Sequence, residues 1–432
     1  MTPDLDLNLS QWAANAPPAP PLPKLAADRT VEVAIIGGGY TGCCAAIHLA
    51  DKGIDVTLLE AKEIGWGGSG RNSGLVNAGL WLNPSKIVEH YGEQHGMNLI
   101  RGLDKAPQLV RALIDRFGID CDAGRKGIIK AAHTAAAIAD CAETVREWRD
   151  LGAPLDLLDA KELRHHTGSE RYHGGLVDHR SFTIEPLAYA RGLGAGAVKA
   201  GANVFVDTPV QKLEPFEGGV RVVTAGGTVT ARKVIVATGA YDSTLVPGME
   251  RGFVPVGYFL FATDPVSHNL RGEVLPGRQA VFDTSPSLIT LRCDRDHRIL
   301  IGNLGWLPSP GLGHAWARSV LRSAFPQLAD MPFRRGWAGT LDFTDDHMPW
   351  LSNPMPNVYM VGGYNGRGIG PGAYWGPILG DWAMGMPDDA LPIPVGPVPD
   401  IRYKAAKGQF YANAFRAWRL RSLMRPPKPV RN

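Results

Sequence analysis

The chain has 432 residues, of which 44% are hydrophobic and 20% are charged, as in folded proteins with two or three domains. Its formal net charge of +3 is too small, and too evenly spread, to favour nucleic acid as a partner. The five cysteines form no Cys-x-x-Cys pair, so neither a disulfide framework nor a metal site is predicted. Without a secretory signal or a transmembrane run, we expect a cytoplasmic protein with buried, reduced thiols.

Residues 1–30 are predicted to form a proline-rich arm that precedes the first domain. Residues 16–23 read Ala-Pro-Pro-Ala-Pro-Pro-Leu-Pro, which is typical of a polyproline-like segment. Such an arm either docks on the body of the protein or on a second subunit, or it is disordered, and the sequence leaves these alternatives open.

Regular structure is predicted to begin with a strand at 31–36, a helix at 41–52 and a second strand at 55–60. The first strand is a short apolar run, as expected for a buried parallel strand. Gly53 follows the helix in the position that ends many helices. This βαβ opening predicts an α/β fold.

The later elements alternate between helices and strands. Helices are predicted at 83–117, 132–151 and 372–384, and strands at 202–213, 220–229, 233–237, 254–263, 289–303 and 358–361, with a hairpin turn at 216–219. Nucleotide-binding pieces lie at both ends and in the middle, so we predict interleaved domains. The predicted bounds are 31–110, 175–250 and 335–390 for a discontinuous dinucleotide-binding domain, 111–174 and 251–334 for a substrate domain, and 391–432 for a basic helical tail.

The most informative motif is Gly-Gly-Gly-Tyr-Thr-Gly at 37–42, which fits Gly-x-Gly-x-x-Gly between a strand and a helix. Gly37 would form the tight turn, Gly39 would admit a pyrophosphate, and Gly42 would allow the helix to pack on the strand. Glu60 ends the next strand, where a carboxylate can accept hydrogen bonds from both ribose hydroxyls. The pattern predicts a Rossmann-like dinucleotide site that disfavours NADP.

Three further small-residue segments follow predicted strands: Gly-Gly-Ser-Gly-Arg-Asn-Ser-Gly at 67–74, a Thr-Gly turn at 238–239, and Gly-Gly-Tyr-Asn-Gly-Arg-Gly-Ile-Gly at 362–370. With these segments, residues 31–384 resemble the FAD-dependent oxidoreductases of the D-amino-acid oxidase and glycine/sarcosine oxidase superfamily. The loop at 67–74 resembles the γ-glutamylputrescine oxidase and amino-acid dehydrogenase branch. The resemblance implies a glutathione-reductase-type FAD-binding domain interleaved with an α+β substrate domain on a mixed or antiparallel sheet.

The resemblance also implies a set of FAD-binding residues. They are Gly37, Gly39, Tyr40, Thr41, Gly42, Glu60, Ala61, Lys62, Ser69, Arg71, Asn72, Ser73, Val210, Thr238, Gly239, Gly363, Tyr364, Asn365, Gly366, Arg367, Gly368 and Ile369. Relatives that link flavin covalently use a cysteine near 337 or a histidine after the small-residue loop. This chain has Ala338, Gly339, Asn72 and Ser73 at those places, so non-covalent FAD is predicted.

The activity implied by the resemblance is oxidation of the C–N bond of an amine or amino acid, by hydride transfer to flavin N5. Arg292 is the first candidate to hold a substrate carboxylate, because its planar fork matches that group; the alternative is a surface arginine. Arg367 is the second candidate, shared between flavin and substrate. Tyr258 and Trp337 are candidates for an aromatic wall, although core packing is the favoured explanation for each of them.

The expected partners are a small amine or amino acid and either oxygen or another electron acceptor. No lysine occurs between 233 and 404, where sarcosine oxidases carry the one that assists oxygen. The basic, aromatic stretch at 404–425 predicts a helix that packs on the body or on a neighbouring subunit, or else lies on a membrane surface. The alternatives in function are an NAD-linked dehydrogenase and a non-catalytic flavoprotein subunit of a larger complex.

Overall fold

The computed structural model describes residues 6–424 and residue 430. The strands are β1 (Arg29–Ile36), β2 (Val56–Leu59), β3 (Leu75–Val76), β4 (Ile128–Ala131), β5 (Leu155–Asp159), β6 (Gly174–Asp178), β7 (Phe182–Thr183), β8 (Asn203–Phe205), β9 (Val210–Phe216), β10 (Gly219–Thr224), β11 (Gly227–Val236), β12 (Val254–Pro265), β13 (Ala280–Asp283), β14 (Thr290–Cys293), β15 (Arg298–Leu304), β16 (Phe333–Phe343), β17 (Trp350–Met355) and β18 (Val358–Gly362). The α-helices are α1 (Gln11–Asn15), α2 (Tyr40–Asp51), α3 (Gly68–Arg71), α4 (Pro84–Asp104), α5 (Ala106–Phe117), α6 (Ala137–Asp150), α7 (Ala160–Thr167), α8 (Pro186–Ala200), α9 (Pro310–Ala324), α10 (Ile369–Ala383) and α11 (Lys404–Met424).

The first sheet has the order β17-β18-β11-β1-β2-β8, with β9 and β10 joined to β11. Its central strands β18, β11, β1, β2 and β8 are parallel, and every residue of β2 is buried. Helices α2, α8 and α10 pack next to one another beside this sheet. Strands buried on both faces read as continuous apolar runs, which is why β1 and β2 were visible in the sequence.

The second sheet has the order β16-β12-β15-β14-β13-β4-β6-β5. All of its pairs are antiparallel except β13 with β4, which run parallel. The short pair β3 and β7 forms a separate ribbon. The architecture is therefore a parallel dinucleotide-binding sheet and a mixed substrate-side sheet, as the sequence predicted.

Several predicted elements differ in their bounds. The predicted helix at 83–117 is divided into α4 and α5 at Lys105, next to Pro107, whose ring cannot continue a helix interior. The predicted strand at 220–229 ends at Thr224, and a tight turn leads into β11. Likewise, 289–303 is the hairpin of β14 and β15.

The second sheet contains two strands that the predicted domain bounds assign to the dinucleotide-binding domain. Strand β6 pairs with β4, and strand β16 pairs with β12, so both belong to the second sheet. The predicted bounds instead put 175–250 and 335–390 with the dinucleotide-binding domain. Strand β16 pairs along β12 for nearly its whole length, from Val254 opposite Phe343 to Thr263 opposite Phe333. The physical reason for the difference is this long antiparallel ladder, which the local sequence of β16 does not reveal.

Two segments near the ends of the described chain, around residues 17–23 and helix α11, pack on the body. The Val206 N–H donates to the Pro23 carbonyl, and Arg191 donates to the Pro17 carbonyl at 2.6 Å, so the proline-rich arm is docked. Helix α11 packs on β12 and α9 and buries Phe415 and Arg419. Within residues 6–424, we find no helix with the length and hydropathy needed to cross a bilayer.

Candidate active site

A cavity of about 500 Å³ lies between the two sheets. Its first side follows the glycine-rich turn after β1, the end of β2 and the start of β9. Its opposite side is formed by β13, β14 and β16, with the N-terminus of α10 nearby. We call these sides the cofactor wall and the substrate wall. A long cavity at the carboxyl ends of parallel strands is the usual place for a dinucleotide.

Backbone atoms exclude a side chain at two positions of the glycine-rich turn, Gly37 and Gly42. Gly37 has φ +108°, and a Cβ atom there would lie 2.6 Å from the Ala237 carbonyl oxygen. A Cβ on Gly42 would lie 1.9 Å from the Gly37 carbonyl oxygen, so α2 can approach β1 only with glycine at 42. Gly39 provides no side-chain cap for α2, and the Tyr40 N–H donates to Ser69 Oγ at 3.1 Å, so the other N–H groups of the first turn are available for an anion.

Glu60 lies at the end of β2, where the motif predicts an acid. Its two carboxylate oxygens accept hydrogen bonds from the Gly38 N–H at 2.7 Å and the Lys62 N–H at 2.9 Å. Burial raises the pKa of Glu60, while these backbone N–H groups oppose the shift. The carboxylate is thus fixed in orientation, and each oxygen retains a lone pair for a ribose hydroxyl.

Most of the predicted cofactor residues line the cavity. They are Gly37, Gly39, Tyr40, Thr41, Glu60, Ala61, Lys62, Ser69, Asn72, Ser73, Val210, Thr238, Gly239, Tyr364, Gly366, Gly368 and Ile369. Gly42, Arg71, Gly363, Asn365 and Arg367 lie behind or beside the lining. The two segments 69–73 and 364–369, far apart in the chain, are therefore brought to one cavity.

The residues behind the lining support it. The Gly363 N–H donates to Asp342 at 3.0 Å, and the buried Asn365 side chain donates to the Gly363 carbonyl at 2.8 Å. Arg71 is fully buried; its Nε donates to the Trp66 carbonyl at 2.7 Å and its guanidinium stacks over the Trp66 ring. These side chains shape the loops without facing the cavity.

Three consecutive carbonyl groups of the loop after α3 are each held by a different buried side chain. Trp337 Nε1 donates to the Arg71 carbonyl at 2.9 Å, and Trp12 Nε1 donates to the Asn72 carbonyl at 2.8 Å. Arg292 Nη1 donates to the Ser73 carbonyl at 3.0 Å. The three side chains come from β16, α1 and β14. With its carbonyls fixed on one side, the loop presents Asn72 and Ser73 to the cavity on the other.

Arg292, Trp337 and Tyr258, predicted as catalytic residues, are buried and do not line the cavity. The Arg292 guanidinium also donates to the Ile184 carbonyl at 2.5 Å and lies 5.0 Å from the Trp12 ring. Tyr258 pairs with Gly339, and burial raises its pKa. The local sequence of β14 is compatible with a strand, but it does not show that α1 covers the face of the strand on which Arg292 lies.

Asp342, at the end of β16, lines the cavity where the two walls meet. One of its oxygens accepts hydrogen bonds from the Gly363 and Tyr364 N–H groups, both at 3.0 Å. Burial raises the pKa of Asp342 to about 6, and the backbone hydrogen bonds oppose the shift. Asp342 was not among the predicted site residues; the signal available in the sequence was a single acid in the otherwise uncharged stretch at 337–343.

The substrate wall is composed of residues that sequence reasoning did not name. They are Trp81, Phe282, Leu288, Thr290, Thr340 and Leu341. Trp81 is oriented by its indole N–H, which donates to the Asn365 carbonyl at 2.6 Å. A mostly apolar wall opposite a polar, glycine-rich wall can exclude water from a reacting centre.

Comparison with known proteins identifies relatives along most of the chain. The family profile described as FAD dependent oxidoreductase (DAO) matches residues 32–382. Gamma-glutamylputrescine oxidoreductase from Escherichia coli is 33% identical over 369 residues, covering 83% of this chain and 85% of the relative. Probable oxidoreductase OrdL from Rhizobium meliloti is 32% identical over 380 residues, covering 87% and 88%.

Solved structures share the fold. Glycine oxidase from Geobacillus kaustophilus superposes with a TM-score of 0.67 at 23% identity and covers 82% of this chain and 93% of its own. L-amino acid deaminase from Proteus myxofaciens superposes with a TM-score of 0.71 at 16% identity and covers 86% and 93%. These matches confirm the predicted fold class.

Proposed function

The chain belongs to the DAO family of FAD-dependent oxidoreductases, and we propose that it oxidises the C–N bond of an amine or amino acid to an imine. The family assignment confirms the predicted resemblance and the FAD cofactor, and it favours a flavin enzyme over the NAD-linked alternative. The named relatives support the substrate class, since one acts on γ-glutamylputrescine and others on glycine.

The residues of the cavity fit FAD. Glu60 and Val210 lie at one end for the adenosine, and the N-terminus of α2, where Gly39 provides no side-chain cap, lies next to them for the pyrophosphate. The loop of Ser69, Asn72 and Ser73 follows. The N-terminus of α10, capped by Gly368 without a side-chain bond, faces the far end. That helix end can favour negative charge at the ring.

When bound, FAD supplies the two-electron acceptor for the reaction. The substrate loses a hydride from its α-carbon and a proton from its nitrogen, and water then hydrolyses the imine to a carbonyl compound and an amine or ammonia. The chain contributes orientation and exclusion of water through Trp81, Phe282 and Leu288. The two electrons lost by the substrate would pass finally to oxygen or another acceptor.

We assign Arg292 and Trp337 a supporting part in this reaction, together with Trp12. All three hold carbonyl groups of the 71–73 loop and act on the cofactor through it, rather than on the substrate. Arg367 adjoins the substrate wall, since its guanidinium stacks over Trp81 at 4.4 Å. Tyr258 is buried outside the lining of the cavity, so we do not assign it to the aromatic wall.

The observation that carries the proposal is the single cavity in which the dinucleotide turn faces an apolar wall. The test is product analysis: the FAD-loaded protein is incubated with candidate amines and an artificial electron acceptor, and carbonyl products and released amine are quantified. We expect equimolar carbonyl product and reduced acceptor with one class of amine. Flavin-containing protein without product from any amine would instead favour the alternative of a non-catalytic flavoprotein subunit.

A further inference from the structure

A second, smaller pocket of about 40 Å³ adjoins the substrate wall. The two cavities share Asn77, Trp81 and Phe282 in their linings. The rings of Trp81 and Phe282 meet edge to face, with centroids 5.7 Å apart. We call the small cavity the side pocket; it is bounded by Lys130, Asp178, Arg180 and Arg367 together with apolar residues. The two cavities are therefore adjacent, and a group in the side pocket would contact the same aromatic pair that lines the main cavity.

The charges that line the side pocket are unbalanced. Three cationic side chains and one carboxylate face it. Arg180 is already paired, because it donates to Asp178 and to Asp104, each at 2.6 Å. Asp178 is the carboxylate of the lining, and both of its oxygens accept hydrogen bonds from Arg180. Lys130 and Arg367 are left without a carboxylate partner among the residues that the structure describes.

Lys130 is directed towards the side pocket from the second sheet. It lies on β4 in register with Phe282 on the parallel strand β13, so both side chains lie on the same sheet face. Its ammonium group forms no hydrogen bond or ion pair with any residue in 6–424 or with residue 430. Burial lowers the pKa of Lys130, and repulsion by Arg367 acts in the same direction.

Arg367 completes the pair of cations from the loop before α10. Its Nη1 donates to the Ala78 carbonyl at 2.9 Å, which orients the guanidinium over the Trp81 ring. Its Nε is buried and has no hydrogen-bond partner among the described residues. Burial lowers the pKa of Arg367 to about 10. Partly buried cations without an anion are costly, and a ligand anion between them would offset that cost.

We propose that the side pocket binds a carboxylate that the amine substrate carries at a position remote from the oxidised C–N bond, held by Lys130 and Arg367. The proposal rests on the proposed function in taking the ligand to be part of an amine. The size of the side pocket suits a carboxylate. The preferred substrates are therefore acidic amines rather than simple alkylamines.

The first test measures binding without turnover. Isothermal titration calorimetry compares glutarate with its neutral diamide, glutaramide, on the FAD-loaded protein. We expect glutarate to bind about 10-fold or more tightly than glutaramide, as for a charge-assisted pair. Lys130→Met should abolish this preference, and Lys130→Arg should retain it. The control is Lys126→Met, which makes the same change at an exposed position four residues away and should leave the preference unchanged.

Equal binding of the two ligands, or an unchanged preference in Lys130→Met with full FAD content, would overturn the proposal. The second test compares kcat/KM for 5-aminopentanoate and 5-aminopentanamide. A substrate carboxylate in the side pocket predicts a higher kcat/KM for the acid, lost in Lys130→Met mainly through KM. Equal values for acid and amide would show that the side pocket takes a separate anion, which also overturns the proposal.

The two tests separate this proposal from the proposed function. A protein that binds glutarate through Lys130 but oxidises no amine would contradict the proposed function, because no amine would be its substrate. The side-pocket proposal would then fail as well, since it takes the ligand to be part of an amine. Amine oxidation with no preference for acids would contradict only the side pocket.

Discussion

The two walls of the cavity are constructed in different ways. The cofactor wall is largely backbone: the turn at 37–39, the N-terminus of α2 and the loop at 69–73. The substrate wall consists of side chains, such as Trp81, Phe282 and Leu288, that come from separate parts of the chain. Backbone sites demand glycine at fixed spacing, whereas side-chain sites tolerate many apolar residues. Substitutions on the cofactor wall should therefore change FAD affinity, and those on the substrate wall should change substrate preference.

The largest effect is expected where a side chain would meet the backbone of the cofactor wall. Gly42→Ala places a Cβ 1.9 Å from the Gly37 carbonyl oxygen, so α2 or the turn must shift. We expect FAD affinity to fall about 100-fold, equivalent to about 3 kcal/mol, measured by fluorescence titration of the apoprotein. Gly311→Ala in α9, where a Cβ would meet nothing within 4 Å, is the control. Equal FAD affinity in both variants would contradict a backbone-shaped wall.

The second prediction concerns the buried carboxyl group of Asp342, which lies where the two walls meet. Burial raises its pKa from 3.8 to about 6 in the folded protein, so the folded state binds more protons than the unfolded state between these pH values. Stability should therefore fall as pH rises from about 4 to 6, with a full penalty of about 3 kcal/mol above pH 6. Asp342→Asn should remove this loss, as measured by urea unfolding at pH 4.5 and 7.5.

The exposed Asp330 provides the control for that experiment. Asp330→Asn makes the same substitution at an exposed position, and the fall in stability with pH that Asp342 causes should persist in it. If Asp342→Asn had the same pH dependence as the wild type, the carboxyl would not be buried at the junction of the two walls.

A smaller effect is expected from the N-terminal contact with the flavin loop. Trp12→Phe retains an aromatic ring but removes the indole N–H that donates to the Asn72 carbonyl. A lost buried hydrogen bond costs about 1–2 kcal/mol, so FAD should bind about 5- to 30-fold more weakly. Trp316→Phe, in the core of the second sheet, should lower thermal stability without changing FAD affinity. Unchanged FAD affinity in Trp12→Phe would mean that α1 is only packed against the loop.

The smallest effect on FAD is expected from the substrate wall. Phe282→Leu retains an apolar side chain at the boundary between the cavity and the side pocket. We expect FAD affinity to remain within about 2-fold, while KM for the amine rises several-fold because the aromatic packing is lost. Parallel titrations and steady-state kinetics measure the two quantities. A larger change in FAD affinity than in KM would contradict the assignment of Phe282 to a wall that determines substrate preference.

The cofactor wall could be predicted from the sequence because the residues that determine it lie close together in the chain. Gly37, Gly39, Gly42 and Glu60 lie within one βαβ unit, and each is required by a steric or hydrogen-bonding condition that spacing alone expresses. The family match confirms FAD and the fold, and the structure places the segments at 69–73 and 364–369 in the same cavity.

The substrate wall was not predictable in the same way. Arg292 was predicted to hold a substrate carboxylate, yet α1 covers its side of β14, and a helix of five residues in a proline-rich arm gives no sequence signal for that contact. Lys130 reads as an ordinary strand residue until the parallel pairing of β4 with β13 puts it beside Phe282. Such positions depend on pairing between distant strands, which local patterns do not encode.

The central claim is that this cavity holds FAD that an amine reduces. The most direct test is an anaerobic absorbance titration of the purified protein with amines, N-methyl amino acids, and D- and L-amino acids. The account predicts flavin bands that bleach stoichiometrically with one class of amine, and free FAD in the supernatant after acid precipitation. Flavin that no amine bleaches, or a colourless protein that takes up no added FAD, would contradict it.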